Sequence, residues 1–303
     1  MKALVISGGG SKGAFAGGVA EYLINEQRKK YDIFIGTSTG SLLISQLALG
    51  KTEQLKKIYT NVNQRSIFNN NPFFIKKVHG EKVVTINHLN VLWNLIRRRK
   101  TFGESKNLKK LIRANFDKSA FEALKRSAKE VVVTVSNLSE GEIEYKSIHD
   151  YDYDMFCNWI WASCNYIPFM SLFEYRGCQY ADGGFGSLVP IREAINRGAK
   201  EVDVIILDTE VKHYNSLPVK NPFSLISHLF EFVMGSVEKH NVTIGKLAAK
   251  NKDVKLNLYY TPNILTMDSL IFDKKKMKLW WQQGYDYAKE RAEKQMTPVK
   301  YDR

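Results

Sequence analysis

The sequence predicts an α/β protein built on a parallel β-sheet with helices packed against it. Two observations carry that expectation: strand, glycine turn and helix follow one another twice within the first fifty residues, and apolar strands resume after residue 130. Residues 2–7 read as a buried strand ending on Gly8-Gly9-Gly10, and 13–27 as a helix with Phe15, Val19, Tyr22 and Leu23 near one face. A second strand at 31–35 runs into Gly36-Thr37-Ser38-Thr39-Gly40. The following "SLLISQLAL" is apolar nearly all round, which places that helix at the centre of the domain.

From 51 to about 128 the text turns polar and helical, and the turn-rich "NNNP" divides it. We read this stretch as a helical insertion or lid within a single domain covering 1–303. Two hairpins follow: "VVVTVS" with "EIEYKSI" through Glu140-Gly141, and "FEYRGCQYADGG" turning at Arg176-Gly177, which delivers Asp182 to a strand end. "VDVIIL" at 202–207 and "VKLNLYY" at 254–260 read as further strands, and about 262–303 as a charged, amphipathic helical tail.

Composition bounds the partners. The chain is 44% hydrophobic and 25% charged, as folded proteins are, and its formal charge of +14 favours an anionic surface, lipid headgroups or nucleic acid. Cys157, Cys164 and Cys178 form no C-x-x-C pair and read as reduced hydrophobes. No signal-peptide pattern opens the sequence, and "MFCNWIWASCNYIPFMSLF" is broken by Asn158, Asn165 and Pro168, so a cytoplasmic protein, peripheral to membranes at most, is expected. No metal-ligand spacing is visible, so no cofactor is expected.

Gly8-Gly9-Gly10-Ser11-Lys12-Gly13 satisfies G-x-G-x-x-G after a strand and before a helix. A dinucleotide site also needs an acidic residue at the end of the second strand, where Gly36-Thr37-Ser38 stands instead; Asp32 lies at that strand's beginning. A Walker A loop fails because Lys12 precedes its glycine. A tight turn without a ligand remains open beside a nest of N–H groups suited to an anion. Gly36-Thr37-Ser38-Thr39-Gly40 matches G-x-S-x-G between strand and apolar helix, the context of a nucleophile elbow that would lift Ser38 above the sheet edge. Asp182, followed by Gly183 and Gly184, sits at a strand end with room for backbone groups to approach its carboxyl.

In that order, G-G-G-x-K-G, G-T-S-T-G and D-G-G resemble the motifs of the patatin-like phospholipases, over about residues 1–210. The resemblance implies a three-layer α/β/α fold with a mainly parallel central sheet, and a lipid acyl hydrolase of phospholipase A or lysophospholipase type. It implies Ser38 as nucleophile, Asp182 as its partner in a dyad, and Gly8, Gly9 and Gly10 as the oxyanion-hole loop. Lys12 stands where the family has a basic residue, and Gly13, Gly36, Gly40, Gly183 and Gly184 complete the motifs. In "WASCNYIPF" the family's Ala-Ser pair and proline appear as Ser163 and Pro168, spaced more widely, which bears on the acyl pocket's shape.

The partners implied are a phospholipid or other acyl-ester lipid and an anionic membrane surface, with no specific nucleic acid. Basic runs at 97–100, 106–110 and 274–281, the last with Trp280 and Trp281, are candidate membrane contacts. Two other readings stay open. A conventional Ser-His-Asp esterase would recruit His213, His228 or His240, and a basic binding protein on the same scaffold would bind membrane or nucleic acid without catalysis.

Overall fold

The computed structural model describes residues 1–78, 81–211, 222–266 and 268–296. Strands form where the apolar runs lie: β1 (Lys2–Ile6), β2 (Ile33–Thr37), β3 (Phe73–Val78), β4 (Glu81–Ile86), β5 (Glu130–Asn137), β6 (Glu142–Ser147), β7 (Phe173–Tyr175), β8 (Cys178–Asp182), β9 (Glu201–Ile206) and β10 (Lys255–Tyr260). Eight of them make one mixed sheet of order β10-β9-β1-β2-β5-β8-β7, with β6 also on β5. The first five strands of that order run parallel; β6, β7 and β8 pair antiparallel.

The helices are α1 (Gly13–Glu21), α2 (Thr39–Ala48), α3 (Thr52–Tyr59), α4 (Gln64–Ile67), α5 (His88–Ile96), α6 (Lys106–Asn115), α7 (Lys118–Arg126), α8 (Tyr153–Ser163), α9 (Ile191–Asn196), α10 (Pro222–Asn251) and α11 (Lys274–Met296). They cover both faces of the sheet, which makes three layers. Along β1 the pleat sends Leu4 and Ile6 into one core with Phe15, Leu43, Phe156 and Trp281. It sends Ala3 and Val5 into the other, with Ile191, Ile195, Val242 and Ala249. Burial on both faces is why the parallel strands read as unbroken apolar runs. As its all-round apolarity predicts, α2 is buried along nearly its whole length.

Three expectations need correction. The stretch 51–128 is not purely helical, because β3 and β4 pair there as an antiparallel ribbon. Its lysines and short apolar runs give no clean period of two. In the tail, Trp280 and Trp281 do not face a membrane: they are 4% and 0% exposed. Gly17, Gly18 and Gly284 let α11 lie directly on α1, so that a Cβ at Gly18 would stand 1.9 Å from the Trp281 carbonyl oxygen, and Trp281 donates its indole N–H to Glu21. The second strand begins at Ile33 and runs through Gly36 and Thr37, two residues later than its sequence suggested.

Candidate active site

Register brings the two candidate side chains together. Thr37, the last residue of β2, pairs with Thr134 of β5, and Asp182, the last residue of β8, pairs with the next residue, Val135; β6 takes the other edge of β5, so β2 and β8 run into one another end to end along the same edge. The ends of the two strands thus meet at consecutive positions of β5, which brings Ser38, one residue past Thr37, next to Asp182. A Cβ at Gly183 would lie 2.3 Å from the Thr134 carbonyl oxygen, so only glycine lets the chain leave β8 so close to β5.

Ser38 occupies φ 54°, ψ −120°, a strained conformation for a residue with a side chain. Neighbours on both sides make it possible. A Cβ at Gly36 would meet the backbone of Gly40, and one at Gly40 the Ile6 carbonyl oxygen at 2.2 Å, so both glycines are needed for the reversal to pack. The Ser38 N–H donates to Ser163 Oγ at 2.9 Å, Ser163 Oγ lies 2.8 Å from Ser41 Oγ, and Ser41 donates to the Gly36 carbonyl at 2.8 Å. Cys164 donates its thiol to the Ser38 carbonyl. Burial raises the pKa of that thiol, and the nearby Asp182 carboxylate adds to the rise, so it stays protonated as a donor.

The half-buried Ser38 hydroxyl donates to Asp182 Oδ2 at 2.6 Å, and Asp182 Oδ1 accepts the Gly184 N–H at 2.8 Å. Asp182 is 2% exposed. Removal from water lifts its pKa to about 7, against the opposing pull of the bonds from Ser38 and Gly184. A carboxylate so placed titrates near neutrality, where a general base works best.

The glycine loop faces this pair: a Cβ at Gly8 would come within 3.1 Å of Ser38 Cβ. Gly8 donates its N–H to the Leu188 carbonyl at 3.4 Å, whereas those of Gly9 and Gly10 meet no acceptor among the described residues. Gly10 has φ +54°, its carbonyl accepts from Thr39 at 2.9 Å and Tyr59 at 2.6 Å, and the Ser11 N–H of the same peptide donates to the Ser269 carbonyl at 2.8 Å, so the peptide that follows Gly10 is held on both sides. Gly13 is pressed against Thr39 and Tyr59, where a Cβ would come within 2.4 Å of either. Lys12 is half-buried, and its charge acts on Glu231 of α10.

Beside Asp182 stands an aromatic wall. Tyr166 stacks on Phe185 at 5.6 Å, Phe230 meets both, and Phe169 joins Tyr166 to Phe73 and Phe102. A cavity of about 750 Å³ lies elsewhere, along the outer strand β10, lined by Leu258, Tyr260, Ile264 and Arg291 among others, and contains none of these groups.

Neither His228 nor His240 bonds to Ser38 or Asp182, and His213 lies outside the described residues. Sequence reasoning missed Ser41, Cys164 and Tyr59 as supports of the site. Of these only Cys164 carried a signal, as the neighbour of Ser163 in the Ala-Ser-proline motif. Ser163 itself was read for the acyl pocket and acts on the elbow.

A family model described as patatin-like phospholipase matches residues 4–195, and the chain belongs to that family. Membership makes it, in general terms, a lipid acyl hydrolase. Among solved structures it is similar to VipD from Legionella pneumophila, with a TM-score of 0.51 and 14% identity over 97% of this chain and 67% of that one, a likeness of fold. No curated protein matches it in sequence. Among the described residues, no helix is long and apolar enough to cross a membrane.

Proposed function

We propose that this chain hydrolyses fatty-acyl esters of membrane lipids, as a phospholipase A or lysophospholipase, through an acyl-enzyme on Ser38. The observation that carries the proposal is the 2.6 Å hydrogen bond from the Ser38 hydroxyl to a carboxylate that burial has made basic. As Ser38 Oγ attacks the ester carbonyl, its proton passes to Asp182 Oδ2, and negative charge develops on the carbonyl oxygen. The N–H groups of Gly9 and Gly10 receive that charge, with Gly8 holding the loop against Leu188. A donor already oriented for the transition state is typically worth about 3 kcal/mol. Collapse of the tetrahedral species breaks the ester C–O bond, and Asp182 returns the proton to the leaving lysolipid or glycerol oxygen. Water then attacks the acyl-enzyme with Asp182 again as base, releasing the fatty acid and restoring the serine.

The aromatic wall beside Asp182 offers the acyl chain an apolar surface, and the lipid is met at an anionic membrane face to which the protein attaches peripherally. Mass spectrometry of products from mixed-lipid vesicles tests the proposal. Wild type is expected to release fatty acid and lysolipid, while Ser38→Ala and Asp182→Asn each lose activity by about a thousandfold or more. Persistent release by Ser38→Ala, or dependence on His228 or His240, would place the chemistry elsewhere.

A further inference from the structure

Helix α5 is built inside out. Its buried positions are Val91 and Asn94. Asn94 accepts from Asn70 at 2.9 Å and donates to the Phe102 carbonyl at 2.7 Å, while Asn90 donates to Asn70 and to the Asn71 carbonyl. The helix is therefore docked largely by asparagine amides. Its apolar stripe, Leu89, Leu92, Trp93 and Ile96 at helical spacing, points the other way, with Leu89 80% and Ile96 65% exposed. Leu95 is exposed too, and so are Phe74 and Ile75 on β3, whose first residue lies one step past Pro72, the acceptor of the Asn87 N–H at the start of α5.

An amphipathic helix normally buries such a stripe, and soluble surfaces rarely keep so many large apolar groups together. The charges around it indicate what covers it. Arg97 stacks on Trp93 at 4.5 Å, Arg98 comes next, and Lys76 and Lys77 follow Phe74 and Ile75; all four cations are exposed, and among the described residues none of them is in an ion pair. Two carboxylates beyond the end of α5 are already engaged, Glu104 by Arg99 and Lys106, and Glu174 by Lys100. Apolar stripe, interfacial tryptophan and exposed cations at its rim form a pattern that suits a bilayer of anionic lipid. We propose that the outward face of α5, with the exposed part of β3, inserts into such a bilayer and holds the protein there.

This inference rests on the lipid-hydrolase reading and adds the surface that meets the lipid. It also connects to the site: Phe102, held by Asn94, and Phe73 of β3 both contact Phe169, the first ring of the wall that leads to Tyr166 and Asp182. Insertion of α5 would set the start of that wall at the membrane.

Vesicle flotation and tryptophan fluorescence test the proposal on the full chain. Of the five tryptophans, Trp159, Trp161, Trp280 and Trp281 are buried and Trp93 is 51% exposed, so insertion has a native reporter. Phosphatidylcholine vesicles containing phosphatidylglycerol should blue-shift the emission, and brominated lipid should quench it, with both effects lost in Trp93→Phe. The pair Leu92→Glu and Ile96→Glu should weaken binding by about tenfold or more, while hydrolysis of a soluble short-chain ester stays unchanged. Arg97→Gln with Arg98→Gln should weaken binding to anionic vesicles more than to pure phosphatidylcholine. Ser38→Ala should bind as wild type does, so a failure of the catalytic reading leaves binding intact and is distinguishable. Binding that ignores the α5 substitutions, a shift that persists in Trp93→Phe, or no binding to either vesicle, as for a face that docks another protein, would overturn the inference.

Discussion

At the residue scale the site is a compromise at Asp182. Both its oxygens have donors, yet burial outweighs them and lifts its pKa to about 7. A carboxyl whose pKa is higher in the folded state than in the unfolded chain stabilises the protein fully at low pH, and that contribution is lost as pH rises through the folded value. The ionised form that the proposed mechanism uses is thus the destabilising one. Asp182→Asn should abolish hydrolysis and yet raise the melting temperature above wild type at pH 8, an advantage that shrinks to nothing near pH 4; calorimetry at the two pH values checks this. Ser163 acts on Ser38 through its backbone N–H. Ser163→Ala leaves the Ser38 N–H without its acceptor at a strained φ, at a cost of about 1–3 kcal/mol. Steady-state kinetics should show a fall in kcat of about tenfold or more with KM little changed, and Ser163→Thr should recover part of it.

At the scale of elements, close approach through glycine decides what packs where. Gly18→Ala would gain about 1 kcal/mol from helix propensity alone, but its methyl would stand 1.9 Å from the Trp281 carbonyl oxygen of α11. A net loss of about 1–3 kcal/mol in a denaturant titration is expected, and a gain would show that α11 does not rest on α1 as described. The parallel strands were legible because burial on both faces leaves long apolar words, and the β5–β6 and β7–β8 hairpins because glycine marks their turns. The face of α11 is illegible for the opposite reason: "KKKM" and "KLWW" display charge and tryptophan side by side, and only the three-dimensional contact reveals that Lys274, Lys275 and Lys278 face outward while Met277, Trp280 and Trp281 fill a core. Helix α5 hid likewise, since its stripe has the periodicity of a core helix and nothing local says that the stripe faces out.

For the whole molecule, residues 38 and 182 are joined by sheet order rather than by any local signal. The motifs named both residues, because each needs glycines that leave a trace in the text. The supports were less legible, since Ser41, Tyr59 and Cys164 are ordinary residues until the fold assembles them around Ser38 and Gly10. Net charge indicated the kind of partner but not the surface. Of the basic runs, 106–110 is partly packed, with Lys109 over Trp161, and 274–281 packs its tryptophans into the core, whereas Arg97 and Arg98 stand beside the exposed apolar stripe of α5. The proposed reaction depends on Ser38 being activated by Asp182, and labelling by a fluorophosphonate, followed by peptide mass spectrometry across pH, measures that directly. The adduct should fall on Ser38 alone, with a labelling rate that rises through about pH 7 in wild type and is slow and flat in Asp182→Asn. An adduct on another residue, or equal rates for the two proteins at every pH, would show that this pair does not form the reactive centre.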